Sequence, residues 1–213
     1  MGEDKKNPGL SCVDCGLTGC NKRNGTYPDF CLTTHLEEGE LDEVLKLYNE
    51  DTENQKIMSV AAQVEYEFYN KFTRVEETME FARRLGAEKL GIATCAGLIN
   101  ESRILAKILR RGGFQVYGTI CKVGAVDKEL VGIDPQCKKV GAHMCNPILQ
   151  ARLLNKEKTQ LNIVVGLCVG HDSLFYKYSE APVTTLIAKD RVLGHNPAAA
   201  LYTCNSYYSK LLK

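Results

Sequence analysis

The spacing of apolar residues divides the chain into three stretches of different character. Residues 1–40 contain few large apolar side chains and have no helical or strand period. Across residues 41–86 apolar residues recur every three or four positions, which predicts amphipathic helices. From residue 87 onward, short apolar runs alternate with helical patterns, which is typical of βα units. The pattern therefore predicts a small N-terminal segment, 1–40, and an α/β domain, 41–213, whose helical part precedes the βα units of 87–213.

Four apolar runs of strand length follow residue 87, and a helical pattern separates each from the next. Strands joined by helical crossovers pair in parallel with right-handed connections. We therefore predict a four-stranded, mainly parallel, Rossmann-like sheet with helices on both faces. No glycine-rich dinucleotide motif follows the first strand, where the loop reads CAGL. The predicted strands are Lys89–Thr94, Phe114–Ile120, Leu161–Leu167 and Val183–Ala188, and the last predicted helix is Pro197–Leu212.

Composition and charge exclude several classes of protein. The chain has 213 residues, of which 44% are hydrophobic and 25% charged, and a net charge of +1, as in ordinary globular proteins. Because its basic residues are spread along the chain, neither nucleic acid nor a membrane surface is an expected partner. No apolar run approaches the roughly 20 residues that span a bilayer. The first residues, MGEDKKNPG, lack the apolar core of a signal peptide, so we expect a cytoplasmic protein.

Ten cysteines are the unusual feature of the composition. In a chain of this length without an export signal, clustered cysteines favour metal ligation or thiol chemistry over disulfides. Cys12, Cys15, Cys20 and Cys31 lie in the weakly patterned N-terminal segment with the spacing C-x2-C-x4-C-x10-C. A metal bound by four thiolates would provide the cross-links that this segment lacks. We predict an iron–sulfur cluster or zinc here. The spacing does not decide between the two, because it matches neither the common ferredoxin runs nor paired zinc knuckles.

A second set of cysteines lies at the ends of predicted elements. Cys95, Cys121 and Cys168 each follow a strand, and Cys145 directly precedes a predicted helix. Since parallel strands of one polarity end at one edge of a sheet, we expect these thiols to converge. The alternative is that each cysteine is a small buried hydrophobic residue that packs well at a strand end. A shared site would suit a second iron–sulfur cluster or metal, or a redox or nucleophilic centre.

Polar residues beside the strand-end cysteines are candidates for acid–base or charge-stabilising roles. His171 and Asp172 follow Cys168 by three and four residues, so Cys168 and His171 resemble a thiolate–imidazole pair that Asp172 would orient. Lys122, directly after Cys121, is a further candidate. In the competing interpretation Asp172 or Ser173 caps the next helix and His171 packs against the sheet. The predicted catalytic set is Cys168, His171, Asp172 and Lys122.

Several stretches carry distinctive motifs: CVDCGLTGC near the N-terminus, ICKVG after the second strand, MCNP, and the long block LNIVVGLCVGHDSLFYKYSEAPVTTLIAKDRVLGHNPAAALY. Together they resemble an uncharacterised family of mainly anaerobic bacteria and archaea, the domain of unknown function 1847, which is described only as metal-binding. The resemblance covers nearly the whole chain. It implies a metal-binding N-terminal segment, with both cysteine sets at the family's repeated positions, but no reaction. Its anaerobic setting favours oxygen-sensitive iron–sulfur centres.

The leading hypothesis is an iron–sulfur redox or electron-transfer protein. In it, the first cysteine set holds one cluster, and the second set holds another cluster or forms the reactive centre. One alternative is a zinc-stabilised enzyme that uses Cys168 as the nucleophile on a small molecule. Another is a non-catalytic carrier of metal or clusters. The expected partner is accordingly a redox partner or a small-molecule substrate, whose identity the sequence leaves open together with the oligomeric state.

Overall fold

The structure is a computed structural model that describes residues 9–22 and 25–213. Residues 1–8 lie outside the described part, and the expectation that the chain has no signal peptide rests mainly on them. The chain forms two compact units, whose boundary in the sequence falls between Ser59 and Val60. The predicted boundary after residue 40 stays a prediction. No helix in the described part is long and apolar enough to cross a membrane.

The first unit consists of turns and helices. Within residues 9–22 and 25–59, only Gly19 is buried, so this stretch has almost no apolar core of its own. Its local structure therefore depends on hydrogen-bonded turns and short helices more than on an apolar core. Its elements are 3-10 turns at Cys12–Asp14 and Leu32–Thr34, helix α1 at Gly19–Lys22, helix α2 at Glu40–Glu50, and the start of helix α3, Thr52–Phe68.

The second unit is built on a four-stranded, entirely parallel sheet, which confirms the predicted α/β fold. The strands lie in the order β2-β1-β3-β4. Each predicted strand is present, with small differences at the ends. The strands are β1 Lys89–Thr94, β2 Gln115–Ile120, β3 Leu161–Val165 and β4 Val183–Ile187; the helices are α4 Arg74–Arg84, α5 Ile99–Arg111, α6 Pro147–Lys156, α7 His171–Tyr178 and α8 Ala198–Tyr202.

Alternation of side chains along the central strands gives the sheet two buried faces. Ile92 of β1 belongs to a core that contains Leu109 of α5. The next residue, Ala93, belongs to a second core that contains Leu154 of α6 and Phe175 of α7. Helices therefore cover both faces, as predicted, and the odd-numbered positions at the end of β1 face α6 and α7.

The strand order reverses between β1 and β3. Helix α5, which follows β1, packs on one face of the sheet, whereas α7, which follows β3, packs on the other. The loops that leave these two neighbouring strands therefore diverge. Open α/β sheets bind ligands in the crevice at such a point, outside the carboxyl ends of the strands. Cys95 directly follows β1 and Cys168 lies in the loop after β3, so both residues flank the crevice.

The predicted C-terminal helix, Pro197–Leu212, is much shorter in the structure, because α8 ends at Tyr202. The Thr203 hydroxyl donates to the carbonyl of Ala199 at 2.6 Å, and the Ser206 hydroxyl donates to the carbonyl of Thr203 at 3.2 Å. Such side-chain bonds compete with the helical ladder. The sequence pattern of apolar residues did not account for this competition.

Candidate thiolate centres

Two strand-end cysteines are neighbours because of the register of the sheet. Thr94 at the end of β1 pairs with Ile120 at the end of β2, so the following residues, Cys95 and Cys121, lie side by side. The Cys121 N–H donates to the Thr94 carbonyl at 2.8 Å. Both cysteines are buried in the core on the α6 face, and the Cys121 Sγ accepts the N–H of Ala96 at 3.3 Å.

The long polar connection after β2 folds back on itself and brings Cys145 to the same place. Asp127 and His143 form an antiparallel bridge within this connection. The Asn146 N–H then donates to the Cys121 carbonyl at 2.7 Å, and the Asn146 side chain caps α6. Cys145 packs against the core that holds Cys95 and Cys121. Of the four thiols expected to converge, these three therefore lie together, whereas Cys168 is not part of this core.

His171 begins α7, and its imidazole hydrogen-bonds the thiol of Cys145 rather than that of Cys168. Its N–H donates to the Cys168 carbonyl at 2.9 Å, which closes the turn into the helix. The Cys168 Sγ instead accepts a hydrogen bond from the Arg191 guanidinium at 2.9 Å. The thiolate–imidazole pair expected at Cys168 is thus found at Cys145, and Cys168 has a cationic partner of its own.

The other two predicted catalytic residues occupy supporting positions. The Asp172 carboxylate accepts the N–H of the next residue, Ser173, at 2.8 Å within the first turn of α7, and its charge favours the protonated form of His171. The Lys122 ammonium donates to the carbonyl of His143 at 2.7 Å. Its charge helps to lower the pKa of Cys145. Both residues therefore act on the charge of the centre.

The three clustered thiols have different pKa values. Hydrogen bonds from the Cys121 thiol and then from the His171 imidazole, with the charge of Lys122, outweigh burial and lower the pKa of Cys145 to about 3. Hydrogen bonds to Cys145 and Cys95, together with burial, raise the pKa of Cys121 far above its usual range. Contact with Cys145 in turn raises the pKa of His171. Of the three thiols, Cys145 therefore loses its proton most readily and Cys121 least readily.

Cys95 also interacts with Cys121, and its pKa is also lowered. The hydrogen bond from Cys121 is the largest cause, and burial opposes it. The N–H of Gly97 and the ammonium of Lys189, whose Nζ lies 3.4 Å from the Cys95 Sγ, bring the pKa of Cys95 down to about 5. Lys189 and Arg191 both follow β4, so the fourth strand delivers its cations to the same sheet edge.

In the first unit, all four N-terminal cysteines line one cavity of about 70 Å³. Cys12 and Cys15 lie at the two ends of the first 3-10 turn, Cys20 lies in α1, and Cys31 precedes the second 3-10 turn. The local turns therefore direct cysteines from three separate positions in the sequence toward one space. The four cysteines therefore share one cavity, whereas their role as metal ligands stays a prediction.

Backbone and side-chain donors surround the sulfur of Cys31. Burial raises the pKa of this thiol, but hydrogen bonds from the Thr33 side chain and from the N–H groups of Thr33 and Thr34 outweigh it, so the pKa is lowered. The Nδ1 atom of His35 lies 2.9 Å from the Cys31 carbonyl oxygen. That histidine therefore contacts the backbone of the turn and not the Cys31 sulfur.

Residues 31–186 match the model of a family described as a protein of unknown function, DUF1847. The chain belongs to the DUF1847 family. A relative from Methanocaldococcus jannaschii, the uncharacterized protein MJ0455, is 52% identical over 160 residues, which cover 75% of this chain and 81% of the relative. The resemblance noted in the sequence is thereby confirmed as far as the family is concerned. The matched region of the family model contains Cys31 and all four strand-end cysteines.

The cysteines of this DUF1847 protein are of the donor type that metal ions and iron–sulfur clusters use, but in the described residues they form no metal-ion site. Within residues 9–22 and 25–213, no three His, Cys, Asp or Glu side chains are arranged to hold one metal ion. The N-terminal cavity of about 70 Å³ exceeds the roughly 10–15 Å³ that one water requires. Cysteine sulfurs are the donors that iron–sulfur clusters use, and four of them line this space. At the strand ends, the buried Nδ1 of His171 has no hydrogen-bond partner in the described part of the chain.

Sequence reasoning missed Gln150, which supports the strand-end cysteines of the DUF1847 protein from behind. This residue of α6 is fully buried. Its Nε2 donates to the carbonyls of Thr94 at 3.2 Å and Thr119 at 2.8 Å, so it connects the ends of β1 and β2 one residue before Cys95 and two residues before Cys121. The sequence did contain a signal for this role. A polar residue on the apolar face of a predicted helix indicates a buried side chain with hydrogen-bond partners, because buried polar groups need partners.

Proposed function

We propose that this protein is a cytoplasmic iron–sulfur redox protein. The observation that carries the proposal is the single cavity lined by Cys12, Cys15, Cys20 and Cys31. These four thiols would hold a cluster, which supplies reversible electron transfer when bound. The strand-end thiols would hold a second cluster or form the reactive centre for a redox partner or a small-molecule substrate.

The weak core of the first unit supports a bound group in its cavity. With only Gly19 buried among the described residues up to Ser59, hydrophobic burial contributes little to holding the turns in place. Ligation by four cysteines would provide that stability, because binding free energy at such a site is also folding free energy. The N–H groups at Cys31 also suit the role, since hydrogen bonds to ligand sulfurs tune the potential of a cluster.

The charges around the strand-end thiols support a thiolate centre there. The pKa values of Cys95 and Cys145 are lowered, and Lys189, His171 and Lys122 lie close enough to contribute to that shift. These cations would offset the negative charge of thiolates bound to a metal group. These cations also favour the deprotonated form of the sulfurs, which is the form that a metal requires.

The test is anaerobic purification of the full chain, followed by iron, sulfide and zinc analysis and a visible spectrum. We expect iron and acid-labile sulfide with broad visible absorbance. Cys20→Ser should remove the N-terminal cluster, and Cys121→Ser should remove the strand-end cluster if one is bound there. Cys137→Ser is the matched control, because Cys137 is exposed and lies outside both cysteine sets.

A colourless protein would contradict the proposal. Zinc that is lost in Cys20→Ser but retained in Cys121→Ser would show that the N-terminal thiols hold a structural ion. Iron whose content is the same in wild type, Cys20→Ser and Cys121→Ser would be adventitious and would equally refute the proposal.

A second candidate function is a thiol enzyme that uses Cys145 as its nucleophile. The hydrogen bond between Cys145 and His171, with the charge of Lys122 nearby, favours this candidate and moves the nucleophile from the predicted Cys168 to Cys145. Thiolate nucleophiles are commonly activated by an adjacent imidazole. Rapid alkylation that Cys145→Ser abolishes and Cys168→Ser leaves intact would support it; the reverse pattern would return the role to Cys168.

A further inference from the structure

A groove of about 580 Å³ runs between α5 and the edge strand β2, on the sheet face opposite to the clustered thiols. Its floor is largely apolar and includes Ile92, Val116 and Ile120. Pockets that bind small molecules are typically about 300–1,000 Å³ and mainly apolar, with a few polar groups that fix orientation. The size and lining of the groove are therefore those of a small-molecule site.

Three basic residues of α5 line the groove: Arg103, Lys107 and Arg110. They recur at spacings of four and three residues, so they lie along one side of the helix. Within residues 9–22 and 25–213, no carboxylate forms an ion pair with any of them. None of the residues that line the groove is acidic. The groove therefore combines an apolar floor with a rim of positive charge that no carboxylate of the described residues neutralises.

Gly118 on the groove floor is not explained by the requirements of the fold. Its φ is not positive, and the pairing of β2 with β1 continues through it without a bulge. A Cβ built at this position would meet only atoms of Ile92, at 3.9 Å, which is ordinary contact. Glycine in the interior of a strand is destabilising, and without a bulge or bend it often marks close approach of a ligand.

We propose that this groove binds a small amphipathic anion, whose flat apolar body lies over Gly118 and whose carboxylate, sulfonate or phosphate faces Arg103, Lys107 and Arg110. The missing side chain at Gly118 leaves room for the body, and the guanidinium and ammonium groups match an anionic head. The proposal does not depend on a metal or cluster, because the groove and the thiols use opposite faces of the sheet.

The test is a fluorescence titration of the full chain with anilinonaphthalenesulfonate, an aromatic anion with an apolar body. We expect saturable binding by the wild type. Gly118→Val should fill the floor while leaving the fold intact, since valine suits strands and the added Cβ meets only ordinary contact. The double variant Arg103→Gln/Lys107→Gln should remove charge without filling the floor. Each change should weaken binding about tenfold or more, as expected for a lost charged contact or a filled site.

Matched controls separate the groove from non-specific effects. Gln115→Val places the same side chain on the same strand outside the groove, and Arg111→Gln removes a charge of α5 that does not line it. Both should bind the probe like the wild type. The uncharged analogue N-phenylnaphthylamine should bind weakly, and the double charge variant should not change its affinity. Absence of saturable binding by the wild type, or equal binding by the wild type and the double charge variant, would overturn the proposal.

Discussion

Substitution of Cys121 tests whether the protonation of the strand-end centre follows from its hydrogen bonds. The Cys121 thiol is the largest cause of the lowered pKa of Cys145, ahead of His171. In the metal-free, reduced protein, Cys121→Ala should therefore raise the pKa of Cys145. Cys121→Ser keeps an O–H donor at the same position and should leave that pKa much closer to its wild-type value.

The expected size follows from the energy of one charged hydrogen bond. A bond to an ionised group contributes about 1.5–3 kcal/mol, and about 1.4 kcal/mol corresponds to one pKa unit, so the pKa of Cys145 should rise by about 1–2 in Cys121→Ala. With a wild-type pKa of about 3, the thiolate form of Cys145 dominates at about pH 4. Its fraction, and with it the rate of alkylation at about pH 4, should fall by about two- to tenfold in Cys121→Ala.

The assay is iodoacetamide labelling across a pH series, with peptide mass spectrometry to follow Cys145 separately from the other thiols. The rate should be governed by the thiolate of Cys145, so wild type and Cys121→Ser should keep substantial labelling in mild acid. Cys121→Ala should lose labelling there and recover it as the pH rises, because a raised pKa delays ionisation. Identical pH profiles for the alanine and serine variants would refute the hydrogen-bond argument.

Two substitutions test packing and capping in the second unit. Gly91→Ala should destabilise the protein by about 1–3 kcal/mol in urea unfolding, because its Cβ would lie 2.0 Å from the Asn162 Oδ1, whereas Gly118→Ala should be neutral or stabilising by up to about 1 kcal/mol. Equal effects of the two alanines would refute the difference in space. Thr73→Ala should cost about 1 kcal/mol in the same assay, because Thr73 and Glu76 form a capping box at the start of α4; an unchanged midpoint would show that the cap contributes nothing.

The sequence was sufficient to predict the strands and the meeting of Cys95 with Cys121. Buried apolar runs identify parallel strands, and such strands end at one edge, so a cysteine directly after each strand has a defined location. The two-residue period of a strand also places both side chains on one face. Short-range rules therefore predict this part of the centre.

The contact between His171 and Cys145 could not be predicted from these short-range rules. A spacing of three residues suggested contact with Cys168, but in the structure that spacing is used by the backbone, where the His171 N–H bonds the Cys168 carbonyl. Contact with Cys145 instead requires the connection after β2 to close through the hydrogen bond from Asn146 to Cys121. That closure depends on long-range geometry in a polar loop, for which the sequence has no periodic signal.

The two faces of the sheet explain how one protein can carry two separate chemical environments. Cys95 and Cys121 continue the odd-numbered positions of β1 and β2, which face α6, whereas Val116, Gly118 and Ile120 are even-numbered and face α5. Thiolates with their cations therefore occupy one side, and the basic groove occupies the other. A ligand in the groove would lie against the strands that carry these cysteines, because Thr94 and Ile120 line the groove and directly precede the two thiols.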